Sequence, residues 1–123
     1  MERTLESKNT ERTLICTTDD KKKVYKAINN GSLQLKDFPG LKINVTDIIQ
    51  VRSVRKETGE EAVNTVLISD TGECYATLSP TVDDSVHNMV EIFGVPSQEN
   101  QITVEVQTGK SNAGREYFYL DVV

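Results

Sequence analysis

From Leu41 onward, apolar and polar residues alternate in five short runs, broken once by a stretch with helical spacing. The alternating runs are Leu41–Lys56, Ala62–Asp70, Glu73–Ser79, Gln101–Thr108 and Arg115–Val122. A period of two predicts strands with one face on a core. Between the third and fourth runs, Val82, Val86, Met89, Val90 and Phe93 recur as one helical stripe, which predicts a helix over Thr81–Phe93. Thr81 and Asp84 stand in capping-box positions, Gly94 closes the end, and Pro96 follows. The stripe belongs in a core, with Met89 and Phe93 buried and His87 on its flank at the surface.

The order strand, strand, strand, helix, strand, strand is the layout of a five-stranded, OB-fold-like Greek-key barrel. The expected fold class is all-β with one helix in the barrel (β-β-β-α-β-β) and a short N-terminal helical extension. In the first strand Ile43, Val45, Ile49 and Val51 are expected inward and Asn44, Thr46, Gln50 and Arg52 outward. The broken alternation at Thr46-Asp47-Ile48 predicts a bend or bulge. Lys56-Glu57-Thr58-Gly59-Glu60 reads as the first hairpin loop and Asp70-Thr71-Gly72 as a tight second turn. In the third strand Cys74, Ala76 and Leu78 are assigned inward, leaving Tyr75 outward. In the last strand Phe118, Leu120 and Val122 are assigned inward, leaving Arg115, Tyr117, Tyr119 and Asp121 outward.

Upstream of the barrel, residues 1–18 read as a mobile polar arm and residues 19–40 as a short basic helix with its connector; residues 41–123 form the barrel. Thr18 is placed as the cap of a helix over roughly residues 19–30, with Val24, Ala27 and Ile28 on one face and Lys21, Lys22, Lys23 and Lys26 around it. Such a helix is expected to dock over an open barrel end. For Ser32–Gly40 a short strand and irregular backbone both fit.

The formal net charge of −5 is unevenly distributed. Residues 1–56 carry 12 Lys/Arg against 7 Asp/Glu, whereas residues 57–123 carry 2 against 12. That asymmetry allows a local basic surface on an acidic protein. No apolar run nears the ~20 residues of a bilayer span. The opening MERTLESKNTERT has no apolar block, so no signal peptide and a cytoplasmic location (the host cytoplasm, were the chain phage-encoded) are expected. Two distant cysteines, Cys16 and Cys74, and a single histidine give no zinc spacing and no Cys–His pair held by a third group. Phosphate-cradle, GxSxG and HExxH motifs are absent from the sequence. The chain reads as a non-enzyme without a cofactor.

What remains is outward aromatics beside cations. Proteins of this fold that bind single strands stack bases on exposed rings and hold phosphates with Lys and Arg. The candidate set is Tyr75 and Tyr117 for bases, with Arg52, Lys110 and Arg115 for phosphates. Tyr119, Arg55, Lys56 and the lysine cluster, Lys22 and Lys26 above all, extend it. The stretch KAINNGSLQLKDFPGLKINVTDIIQV, the DTGE…ATLS hairpin, the VHNMVEIFG helix end and the closing KSNAGREYFYLDV resemble the single-stranded DNA-binding proteins of small tailed phages of Gram-positive hosts. That resemblance, from about Thr10 to the C-terminus, implies an OB-fold protein that coats exposed strands during phage replication or recombination. It implies single-stranded DNA as partner, with replication or recombination proteins beside it. Many such proteins end in an acidic tail, whereas Asp121-Val122-Val123 here belongs to a strand. The alternative is an OB-like protein-interaction module, a phage assembly or host-takeover factor.

Overall fold

A computed structural model describes residues 2–6, 10–29 and 32–123, with side chains described for 13–29 and 32–123. The fold is mostly β with two α-helices on one curled, mixed sheet of 8 strands. In chain order the elements are β1 (Glu2–Glu6), β2 (Thr10–Cys16), α1 (Lys21–Asn29) and β3 (Leu33–Gln34). Then follow β4 (Lys42–Arg55), β5 (Glu61–Ser69), β6 (Cys74–Thr77), α2 (Pro80–Phe93), β7 (Ile102–Lys110) and β8 (Glu116–Val122).

The long strand β4 organises everything else. One edge of it pairs with β5; the other pairs first with β7, over Lys42–Val45, and then with β2, over Ile49–Arg55. A register break between Val45 and Asp47 sits between the two halves, where the alternation of the sequence fails. The extra residue bends the strand and reverses its faces. Ile43, Val45 and Ile48 therefore share the interior core, while Ile49 points to the opposite side. The expectation that Ile49 lies inward with Val45 is corrected by that parity change.

All five expected strands form, but 8 are present among the described residues. The segment read as a mobile arm instead contains the β1–β2 hairpin, and β2 anneals to β4 from Thr10↔Arg55 to Cys16↔Ile49. Its polar composition hid this, because backbone ladders do not require apolar side chains. The undecided stretch at Ser32–Gly40 becomes β3, parallel to β6, and a 3-10 turn that buries Leu35 completely. Among the described residues no pairing joins β8 to β6 or β3, so the sheet is a half-barrel.

Helix α2 fills the concave side with Val82, Val86 and Met89. Its cap is Ser79, whose Oγ accepts from Val82 N at 3.3 Å, with Pro80 in the first turn. Thr81 is thus inside the helix, not at its cap. Gly94 ends it with φ 85. Phe93 is a further correction: at 48% exposed it lies outside the core, beyond the last turn that the sheet covers.

Helix α1 builds a second core on the convex side. Val24 and Ala27 pack against Ile49, Val66, Ile68 and Cys16, with Cys74 and Ala76 beside them. Asp20 starts the helix by accepting from the backbone N–H groups of Lys22 and Lys23 at 3.1 and 3.2 Å. Lys23 Nζ reaches Asp47 Oδ2 at 2.6 Å, and Asp47 Oδ1 accepts from Thr17 Oγ1 at 3.2 Å. The bulge carboxylate thus ties α1 and the end of β2 to β4. The helix covers the outer faces of β4, β5 and β6 rather than an open barrel end.

Candidate nucleic-acid interface

The β7–β8 ladder carries the outward aromatic surface. Its register sets Tyr117 opposite Gly109, Tyr119 opposite Gln107 and Asp121 opposite Glu105. Phe118 and Leu120, on the other side of β8, pack into the α2 core, which turns the odd positions to the outside. The rings of Tyr117 and Tyr119 stand 6.0 Å apart between centroids, tilted by 36°. Tyr117 is 43% exposed and Tyr119 half-buried.

Gly109 makes room for the first ring. A Cβ built there would stand 2.8 Å from Cζ of Tyr117. The hydroxyl end of the phenol therefore lies over Gly109 on the partner strand, and the side chain stays part in solvent.

Charge is graded along the same ladder. At the loop end, Lys110 and Arg115 are exposed. Ser111 holds that loop: its backbone N–H donates to Arg115 O at 2.8 Å and its Oγ accepts from Arg115 N at 3.2 Å. Gly114, at φ 79, takes the left-handed position and donates to Ser111 O at 2.9 Å. At the far end lie Glu105 and Asp121, opposite each other. Glu105 is partly answered by Lys42 at 3.9 Å and by a hydrogen bond from Gln107. A polyanion lying on the two rings thus has Arg115 and Lys110 toward the loop, with the exposed Glu116 beside them, and acids beyond Tyr119.

The remaining candidates are placed elsewhere. Tyr75 is corrected outright: it is 6% exposed, stacked edge-on against Phe38 at 5.5 Å in the interior core. Its hydroxyl donates to Glu73 Oε2 at 2.6 Å, and that bond, with burial and the carboxylate charge, pushes its pKa up to about 12. Cys74 and Ala76 face α1 instead, and Leu78 is 67% exposed. Burial also pushes the Cys74 thiol up. Arg52 lies with Gln50 on the α2 side of β4, its Nε 3.0 Å from Glu61 Oε1. That Nε is shielded from solvent and makes no aligned hydrogen bond, so the contact is one of charge rather than a directed bond. Arg55 is exposed and only loosely paired with Glu60 at 3.8 Å, and Lys56 is exposed in the β4–β5 turn. Lys22 and Lys26 are exposed on α1. The structure therefore unites Tyr117 and Tyr119 and sets Arg115 and Lys110 at the loop end of the same ladder, Lys110 opposite Glu116 at the parity of Phe118, and it leaves Arg52 on another surface.

Sequence reasoning missed Tyr25. It is 65% exposed on α1, one turn after Lys21 and Lys22. Its position opposite Val24 and Ala27 on the helical wheel was the available signal.

His87 is exposed and pairs with Asp83 at 3.1 Å; Asp83 also accepts from Gln50 at 2.7 Å. Among the described residues no grouping of His, Cys, Asp and Glu could hold a metal ion, and no helix is long and apolar enough to cross a membrane.

A mostly β half-barrel with a solvent-facing tyrosine pair and a cationic loop has the form of a small strand-binding domain. The family model described as phage single-stranded DNA-binding protein matches residues 5–123, and the chain belongs to that family. No curated protein and no solved structure matches the chain.

Proposed function

We propose that this protein binds single-stranded DNA across the outer face of β7–β8 and coats exposed strands during phage DNA replication or recombination, in the cytoplasm of the host. The curled sheet, with β4 shared between both halves and α2 inside, supports an OB-like reading of the fold. In that reading β4, β5, β6, β7 and β8 are the barrel strands, and residues 2–6, 10–16 and α1 are additions to them. Bases stack on Tyr117 and Tyr119, while Lys110 and Arg115 hold phosphates at the loop end. Arg55 and Lys56, on the β4–β5 turn, add contacts at the other loop that this fold uses.

The observation that carries the reading is Tyr117, over Gly109 and 6.0 Å from Tyr119, on a ladder whose loop end carries Lys110 and Arg115. A stacked base contributes roughly 1–3 kcal/mol without regard to sequence. With about three to five phosphate contacts on a single strand, log Kd against log salt should have a slope near 2 to 3.5 in magnitude, at ~0.7 per phosphate. Titration of single-stranded and duplex oligonucleotides at low salt tests this directly. Tighter binding to the single strand, with that shallow slope, is the expected result. Equal or tighter binding to duplex would refute it and leave a protein-interaction module as the function of the fold.

A further inference from the structure

We infer that the outer face of α1 is a second contact for the same single strand, with Tyr25 as a stacking platform and Lys21 and Lys22 on the flanking phosphates. This rests on the single-strand reading above. In OB-like domains an oligonucleotide crosses the outer face of the second and third barrel strands. Here those strands are β5 and β6, and α1 lies on their outer face through Val24 and Ala27 against Val66 and Ile68. The surface that a strand meets at this place is therefore the helix.

That helix is held, not loose. The Lys23–Asp47 pair at 2.6 Å and the Asp20 cap fix both its end and its rotation. So fixed, α1 turns outward Tyr25, which at 65% is the most exposed aromatic among the described residues. Lys21 and Lys22 precede it by four and three positions and share its helical face. Asp20 is engaged in capping and Asp47 is answered by Lys23, whereas Lys21, Lys22 and Lys26 have no ion pair among the described residues. Lys26 rims a groove of about 430 Å³ floored by Ala27, Leu33 and Cys74, with Leu33 45% exposed and Glu73 also on its lining. An exposed ring, free cations and an apolar floor together suit a polyanion carrying flat bases.

Along the sheet β8 and β5 are three strand spacings apart, about 14 Å, so the α1 contact is separate from the tyrosine pair. A strand long enough to reach both should bind through both, and a very short one through a single site.

The test compares Tyr25→Ala, Tyr25→Phe and the wild-type chain on oligo(dT) of about five and about twenty nucleotides, one near the lower end of the ~4–16 nucleotides that such folds occupy and one beyond the upper end. Tyr25→Ala should weaken the longer oligonucleotide by about 5- to 150-fold and change the shorter one little. Tyr25→Phe should bind as wild type, because it keeps the ring. Thermal melts of all three should coincide, since the side chain is mostly in water. Lys21→Gln with Lys22→Gln should lower the salt slope on the longer strand by about 1.4. Unchanged binding by Tyr25→Ala overturns the inference, as does equal loss on both lengths or a Tyr25→Phe as weak as the alanine. A wild-type chain that binds neither oligonucleotide is a different result, and refutes the single-strand reading itself.

Discussion

The ring of Tyr117 rests on Gly109, its cross-strand partner, so closely that no other residue fits beneath it unshifted. Gly109 does not take a left-handed backbone angle, so its value here is space. Gly109→Ala places a methyl group 2.8 Å from the far end of the phenol, which must swing off the ladder. Because Tyr117 is 43% exposed it can do so at small cost. The expected outcome is a melting temperature within a few degrees of wild type and a loss of affinity for single-stranded DNA approaching that of Tyr117→Ala. Oligonucleotide titration beside a thermal melt checks both. Wild-type affinity in Gly109→Ala would show that the placement of Tyr117 over Gly109 does not matter for binding.

Tyr75 and Phe93 exchange the roles that periodicity assigns them. Tyr75 is buried at the centre of the concave core against Phe38, so Tyr75→Ala should cost about 3–5 kcal/mol. Phe93, half in solvent, should lose only roughly 1 kcal/mol on truncation to alanine. Urea denaturation of the two variants measures the difference. A Phe93→Ala variant that unfolds as early as Tyr75→Ala contradicts the burial of both.

Tyr75 also predicts an alkaline limit to stability. Its hydroxyl donates to the Glu73 carboxylate, and ionising it would remove that proton, bury a charge and oppose Glu73. The folded-state pKa, about 12, is above the ordinary value of 10.0. A raised pKa means that the stabilisation is complete below the unfolded value and disappears as pH rises through the folded one. Unfolding free energy should therefore contain a component that is flat up to about pH 10 and falls between about 10 and 12. Tyr75→Phe should lack this component and lose about 0.5–1.5 kcal/mol at neutral pH with the hydrogen bond. Parallel denaturation curves for both proteins across that range test it.

The five strand runs after Leu41, the α2 helix between them, the bulge and the two hairpin turns could be read from the sequence, because each leaves a local mark. A lost alternation marks the bulge at Asp47, and a glycine marks each turn. The face of β6 could not. With α1 on one side and α2 on the other, Cys74, Ala76 and Tyr75 all contact apolar surroundings, and alternation carries no direction. The largest side chain went to the larger core and the small ones under the helix. The β1–β2 hairpin was illegible for another reason: its pairing with β4 is a backbone property of a polar segment. Within the candidate site, Tyr117 and Tyr119 were legible because Phe118 and Leu120 between and beyond them have only one core to enter.

The last prediction concerns the tie between α1 and the bulge. Asp47 is nearly buried, accepting from Thr17 on one oxygen and Lys23 on the other. Its Lys23 partner keeps a side-chain exposure of 29%, so it can return to water when the carboxylate is lost. Asp47→Asn keeps an oxygen for Thr17 but removes the charge, and should destabilise the fold by about 1–2 kcal/mol, less than a fully buried pair would lose. Lys23→Gln should cost less, because it leaves Asp47 its hydrogen bond from Thr17. If the two act as a pair, the double variant will fall short of the summed single losses by about 1 kcal/mol. Amide exchange should quicken in α1 before the rest of the sheet, since the pair spans only the helix and β4. Additive losses, or exchange that quickens everywhere together, would mean that α1 is held by Val24 and Ala27 alone and that the bulge carboxylate serves only β2.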